Sequence, residues 1–181
     1  MFKETSKELL DFLSKSPTAF HAVENYRQIL NADGFKELLE SEHWDIVPGG
    51  KYYVTRNNTS ILAFKVGTKL DNYSFNIVTS HTDSPTFKVK ENAEIEVKNK
   101  YTQLNTEGYG GMLCATWLDR PLSIAGRVLV SEGNSIVTKL LNIDRDLLMI
   151  PNVAIHMNRA ANDGFKYNLQ VDMLPLLSAG D

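Results

Sequence analysis

The sequence predicts a layered fold of helices and β-strands, α/β or α+β, and three observations carry that expectation. The opening third has apolar residues at helical spacing. The segment after "ELLESEHWDIVPGG" changes to short β-rich runs divided by turn signals. Past residue 90 the chain alternates charged and apolar positions, then shows a glycine-rich bend and a hairpin pattern. Two helices followed by consecutive strands must bury one face of each against the other, which gives a helix-on-sheet layer.

Taken in order, Leu9, Leu10, Phe12 and Leu13 line one face of a short helix ending near Ser14. "SPTAFHAVENYRQILNADGF" specifies a second helix. Ser16 is placed to cap it and Pro17 suits its first turn. Ala19, Ala22, Val23, Tyr26, Ile29 and Leu30 recur at three and four, and Gly34 supplies the stop. Strands are expected over residues 51–56, 60–66 and 75–79, separated by "NNT" and "GTKLDN". "ENAEIEVKNK" reads as an exposed strand, "TEGYGGM" as a bend, and "SIAGRVLVSEGNSIVTKLLNI" as a hairpin around Glu132, Gly133 and Asn134. The final "VDMLPLLSAGD" shows no closing element. No repeat or low-complexity linker is present, and the change of pattern sets a boundary near residue 90.

Composition narrows the functional classes. The 181 residues are enough for a real core, and 43% hydrophobic with 23% charged residues is ordinary for a globular protein. A net charge of −3 provides no basic field for nucleic acid. One cysteine, Cys114, excludes an internal disulfide and a cysteine-rich zinc finger. "MFKETSKELLDFLSKSP" is charged and amphipathic, unlike a signal peptide, and no apolar run is long enough to span a bilayer. The expectation is a soluble cytoplasmic protein, in which the overlapping sequons of "NNTS" carry no weight.

The chemistry-bearing stretch is "NIVTSHTDSPTFKVK". An apolar run leads into His81, Thr82, Asp83, Ser84 and Pro85. At a strand end the backbone turns, so His81 and Asp83 can face one cleft, and clefts in open α/β sheets lie beyond the strands' carboxyl ends. Imidazole binds zinc well, and a nearby carboxylate can orient it through the other ring nitrogen. The competing reading is a capped polar turn that happens to hold a histidine. Pro85 ends the strand under either one. His156, after "IPNVAI", is placed at another strand end, as a second ligand beside His81 or as a hydrogen-bonded neighbour of the strand. His21 within the second helix reads as a packing or surface residue, and His43 as packing against Trp44. "GYGG" lacks the lysine and hydroxyl of a phosphate loop, so its glycines serve a turn or close packing. Asp119 and Arg120 read as a structural ion pair and Cys114 as an inert thiol. No nucleophile elbow is present.

Together, "SPTAFHAVENYRQIL", "GGKYYVTRNNTSILAF", "SHTDSPTFKVK", "YGGMLCATWLDRPLSIAGRVLV" and "IPNVAIHMNR" occur in the order seen in aspartyl aminopeptidases, and the chain resembles the N-terminal part of that family. The resemblance implies a cytosolic co-catalytic zinc exopeptidase, with two zinc ions or other divalent metals, acting on peptides with an acidic N-terminal residue. It implies an α/β catalytic domain interrupted by a β-rich inserted dimerisation domain. Residues 1–90 would begin the catalytic domain and residues 91–181 the insert. It implies homo-oligomers, dimers assembling to a dodecamer, with no nucleic-acid or membrane partner. His81 would be a zinc ligand, Asp83 its orienting carboxylate, and His156 a contributor to the adjoining subunit's active site rather than a partner of His81 in one chain. In a complete member two metals activate a bridging water and a glutamate takes its proton. The family's bridging aspartate, paired glutamates, further carboxylate ligand and late histidine have no counterpart in these 181 residues. The isolated chain is therefore expected to be inactive. The alternative expectation is a non-catalytic self-association module.

Overall fold

The computed structural model describes residues 2–71 and 74–179, so the turn read over "GTKLDN" reaches outside the described residues at Asn72. Among the described residues the architecture is mixed α/β with three small sheets, and the chain divides into two compact units. Unit 1 comprises Met1–Ser84 and Ala125–Asn142, and unit 2 comprises Pro85–Ile124 and Ile143–Asp181.

In unit 1, α1 (Phe2–Ser14) buries no residue fully and meets the second helix through Phe12, whose ring lies 4.7 Å from that of Tyr26. Helix α2 (Ala19–Ala32) starts two residues later than the sequence indicates. Its cap is Thr18, whose hydroxyl accepts from the His21 amide, while the Ser16 hydroxyl accepts instead from Asn25 Nδ2 at 2.9 Å. The C-terminal stop is as expected. Gly34 sits at φ +80°, its amide donates to Asn31 O, and the Phe35 amide donates to Leu30 O, which together satisfy the last carbonyls of the helix.

Strand β1 (Lys36–Glu37) pairs parallel with β2 (Lys51–Arg56), which pairs antiparallel with β3 (Ser60–Lys65). The β2–β3 turn is closed by the Thr59 amide on Arg56 O and places Asn57 and Asn58 at φ 51° and 54°. Asparagine tolerates that left-handed geometry because its short polar side chain bonds locally. Val23, Ala22, Tyr52 and Tyr53 form the buried core between α2 and the sheet. The Tyr53 hydroxyl donates to Asn31 Oδ1 at 3.0 Å, and Arg27 reaches Glu37 at 2.9 Å. The hairpin β6 (Ala125–Glu132) and β7 (Ser135–Asn142) turns at Gly133 and Asn134 as the sequence indicates. Its Arg127 guanidinium lies over the Phe20 ring, 4.4 Å from the centroid.

One expected element is missing. Residues 74–80 form no strand, and Phe75, Ile77 and Val78 are 82%, 77% and 97% exposed. Apolar β-branched composition supplies propensity, but a strand exists only when a neighbour takes its amides and carbonyls. No described strand does so here.

In unit 2, β4 (Thr86–Val97) and β5 (Tyr101–Tyr109) form a long antiparallel pair with a register shift between Val89 and Glu94. The turn between them repeats the geometry of the β2–β3 turn, with Lys98 and Asn99 at positive φ. Strand β5 continues through most of "TEGYGG" before bending. A side chain at Gly108 would stand 2.7 Å from Leu169 Cδ1, so a larger residue there would have to displace the end of that leucine. Strand β8 (Leu176–Ala179) adds to β5 and supplies a closing strand where the sequence pattern indicates none. Pro175 has no amide to give, but its carbonyl accepts from Leu104 at 2.8 Å and leads the chain into the sheet. Leu104, Leu148, Ile150, Met173 and Leu174 make the core, and Trp117, in the short 3-10 turn Cys114–Trp117, meets Phe87 edge-on at 5.1 Å. Asp119 and Arg120 do not pair with each other. The Asp119 carboxylate accepts from the Asn152 amide at 2.8 Å, and Arg120 Nη1 is 3.4 Å from Thr116 O.

Candidate metal centre at His81

His81 and Asp83 lie where the exposed run 74–80 turns, in unit 1. His81 Nδ1 is 2.9 Å from Asp83 O and 3.1 Å from Asp83 Oδ1. Both partners are acceptors, so the network assigns the proton to Nδ1. The lone pair of a neutral ring is then on Nε2, the nitrogen that a metal would use. The imidazole is 80% exposed and the Asp83 side chain 41% exposed, so the ring is held at the surface by a residue two positions away. Between them, Thr82 turns inward. Its hydroxyl donates to Thr59 O at 2.7 Å and ties the loop to the β2–β3 turn. Spacing identified His81 and Asp83 and passed over Thr82. The available signal was a hydroxyl residue between two functional ones, where alternation points it toward the protein.

The donor set decides how far a metal fits. A catalytic zinc takes three protein ligands and keeps one position open. Among the described residues no cluster of three or more His, Cys, Asp or Glu side chains is placed to hold an ion. His81 with Asp83 therefore suits one ligand and its orienting partner, and the described residues do not build a complete zinc site.

His156 does not emerge from a strand. It sits exposed in a turn where the Met157 amide donates to Ala154 O at 2.8 Å, and it belongs to unit 2. The residues before it, 151–154, have no strand partner after the bridge at Ile150. His21 is buried at 9% exposure, with Nδ1 2.8 Å from the Thr18 hydroxyl, and burial pushes its pKa below the ordinary value. It is a packing residue, as expected. His43 is exposed, with Nε2 3.7 Å from Asp45, rather than packed against Trp44 as expected.

The described residues show a mixed α/β chain with an exposed His-x-Asp turn, and comparison with known proteins gives the family. Residues 12–180 match the family described as aminopeptidase I zinc metalloprotease (M18), and the chain belongs to it. It is 51% identical over 175 residues to a probable M18 family aminopeptidase 2 of Clostridium novyi, covering 95% of this chain and 40% of that protein. It is 45% identical to the aspartyl aminopeptidase of Dictyostelium discoideum, covering 96% of this chain and 36% of that one. Among solved structures, a chain of the Ape4 and Nbr1 complex superposes with a TM-score of 0.92 at 40% identity, covering 98% of this chain and 34% of the other. The mApe1 dodecamer of S. cerevisiae gives 0.78 at 27% identity, with 97% and 38% covered. The chain thus spans about two fifths of the length of the relatives it matches.

Proposed function

We propose that this chain contributes the first metal ligand of a zinc aminopeptidase that removes N-terminal, acidic residues from peptides in the cytoplasm. The observation that carries the reading is the His81 imidazole, fixed through Nδ1 by Asp83 with Nε2 left free. The family name supplies zinc, and the aspartyl aminopeptidase relative favours acidic peptides. Two ions, or other divalent metals in their place, are part of the same proposal. His81 is the ligand, Asp83 its orienter, and His156 serves the active site of an adjoining copy. Residues 1–90 would begin the catalytic domain and residues 91–181 the inserted dimerisation domain, although the compact units divide at Ser84 and group the hairpin Ala125–Asn142 with the first. The dodecameric relative supports a homo-oligomer. No described helix is long and apolar enough to cross a membrane.

One ligand is not a working centre, so the 181-residue chain alone is expected to show negligible hydrolysis of aspartyl or glutamyl peptides with zinc or cobalt added. Robust turnover by the purified chain would overturn this. The exposed Phe75, Ile77 and Val78, with Leu9 and Leu10 of α1, favour a second reading, a non-catalytic self-association module. Light scattering that finds a clean monomer counts against it.

A further inference from the structure

We infer that Thr82 is a positioning residue for His81, acting as a hydroxyl latch that holds the metal-facing ring in register. The inference rests on the proposal that His81 is a ligand. The loop carrying His81 has neither helix nor strand over residues 74–85, and residues 74–81 are all exposed. An imidazole on such a loop has a fixed direction only if the loop backbone is fixed. Thr82 is half-buried, and its hydroxyl donates at 2.7 Å to the carbonyl of Thr59. That carbonyl belongs to a stiff element. The β2–β3 turn has two consecutive left-handed residues, Asn57 and Asn58, and is closed by the Thr59 amide. The turn is itself braced from a distant part of the chain. Arg127 of β6 donates through Nη1 to Asn57 Oδ1 at 3.2 Å while its guanidinium rests on Phe20 of α2.

The path from the helix to the ring is therefore continuous within unit 1. Phe20 supports Arg127, Arg127 holds the turn, the turn presents Thr59 O, and Thr59 O anchors Thr82. The residues on either side of Thr82 in sequence form the His81–Asp83 hydrogen bonds. Pinning residue 82 keeps the Nδ1 proton aimed at both Asp83 acceptors and keeps the Nε2 lone pair outward. Supporting partners of a liganding histidine set its tautomer and orientation, and their loss commonly weakens metal binding about tenfold or more.

The test uses the 15N-labelled 181-residue chain as wild type, Thr82→Val, Thr82→Ser and His81→Ala. Two readouts are compared. Long-range 1H–15N spectra of this chain give the His81 tautomer without metal, and chelator competition on a full-length protein carrying the same substitutions, with the remaining ligands present, gives zinc affinity. Wild type and Thr82→Ser are expected to hold the Nδ1–H form. Thr82→Val is expected to give a mixed tautomer and zinc binding weaker by roughly tenfold. If Thr82→Val matches wild type in both readouts while His81→Ala loses zinc, the latch is overturned and the ligand assignment stands. If His81→Ala binds zinc like wild type, the ligand assignment fails, and the tautomer comparison still decides whether Thr82 orients the ring. Amide shifts in Thr82→Val that spread through the core of unit 1, or a Thr82→Ser protein behaving like the valine variant, would also overturn the positioning role.

Discussion

In a full-length protein that supplies the remaining ligands, replacing Asp83 by asparagine is expected to weaken zinc binding about tenfold, at the mild end of the range for removing an orienting partner. The structure sets that magnitude in three ways. The carboxylate oxygen is 3.1 Å from Nδ1, an ordinary hydrogen bond rather than a short charge-assisted one. The imidazole is 80% exposed and the carboxylate 41% exposed, so solvent screens the charge between them. The main-chain carbonyl of Asp83, 2.9 Å from the same nitrogen, survives the substitution and still accepts the Nδ1 proton. What is lost is one of two acceptors, and tenfold corresponds to about 1.4 kcal/mol. His81→Ala removes the donor atom itself and is expected to cost more than about a hundredfold. His156→Ala is expected to leave zinc binding unchanged. Competition against a chromophoric chelator near neutral pH gives all three affinities. A His81→Ala protein with wild-type affinity would refute the ligand assignment. An Asp83→Asn protein weaker than His81→Ala would refute the argument from the retained carbonyl, and zinc lost in His156→Ala would restore a His81–His156 pairing within one chain.

Two further outcomes follow from unit 1. Tyr53→Phe removes a buried donor to Asn31 Oδ1, and its loss is expected to lower stability by about 1 kcal/mol. Urea unfolding followed on Trp44 in a Trp117→Phe background measures it, and an unchanged midpoint would exclude a stabilising role for the bond. His21 has its folded pKa lowered by burial, so the unfolded chain takes up a proton first as pH falls. The associated stability is complete above about pH 6.5 and declines below it toward the lower folded value. Urea midpoints measured from about pH 7 to about pH 5 should fall more steeply in wild type than in His21→Gln. Identical slopes would show that His21 does not carry this dependence.

Local signals were legible where the structure is local. Helix α2 and its glycine stop, strands β2 and β3, and the β6–β7 hairpin are written in periodicity and turn residues, which act over a few positions. Non-local features were not. Residues 75–79 have strand composition, but pairing partners are not encoded in the run itself. Strand β8 was invisible for the converse reason, because β5 recruits a segment that has little pattern of its own. At the candidate site the His81–Asp83 relation could be read from spacing, since two residues in one turn must be near each other. The anchor of that turn could not, because Thr59 lies twenty-three residues back and its contribution is a main-chain carbonyl, which no side-chain pattern records.

The placement of the β6–β7 hairpin has a consequence for anyone who would dissect this protein. Although residues 125–142 are flanked on both sides by segments of unit 2, they belong to unit 1, so the polypeptide crosses between the units at 84/85, 124/125 and 142/143. A single nick or gene cut therefore cannot release either unit whole. Truncation after Ser84 would strand Phe20 without the arginine that covers it, and Asn57 without its donor. Separate halves should be sought by splicing the hairpin back onto residues 1–84 through a short linker, and complementation between fragments should succeed only when the hairpin travels with one of them.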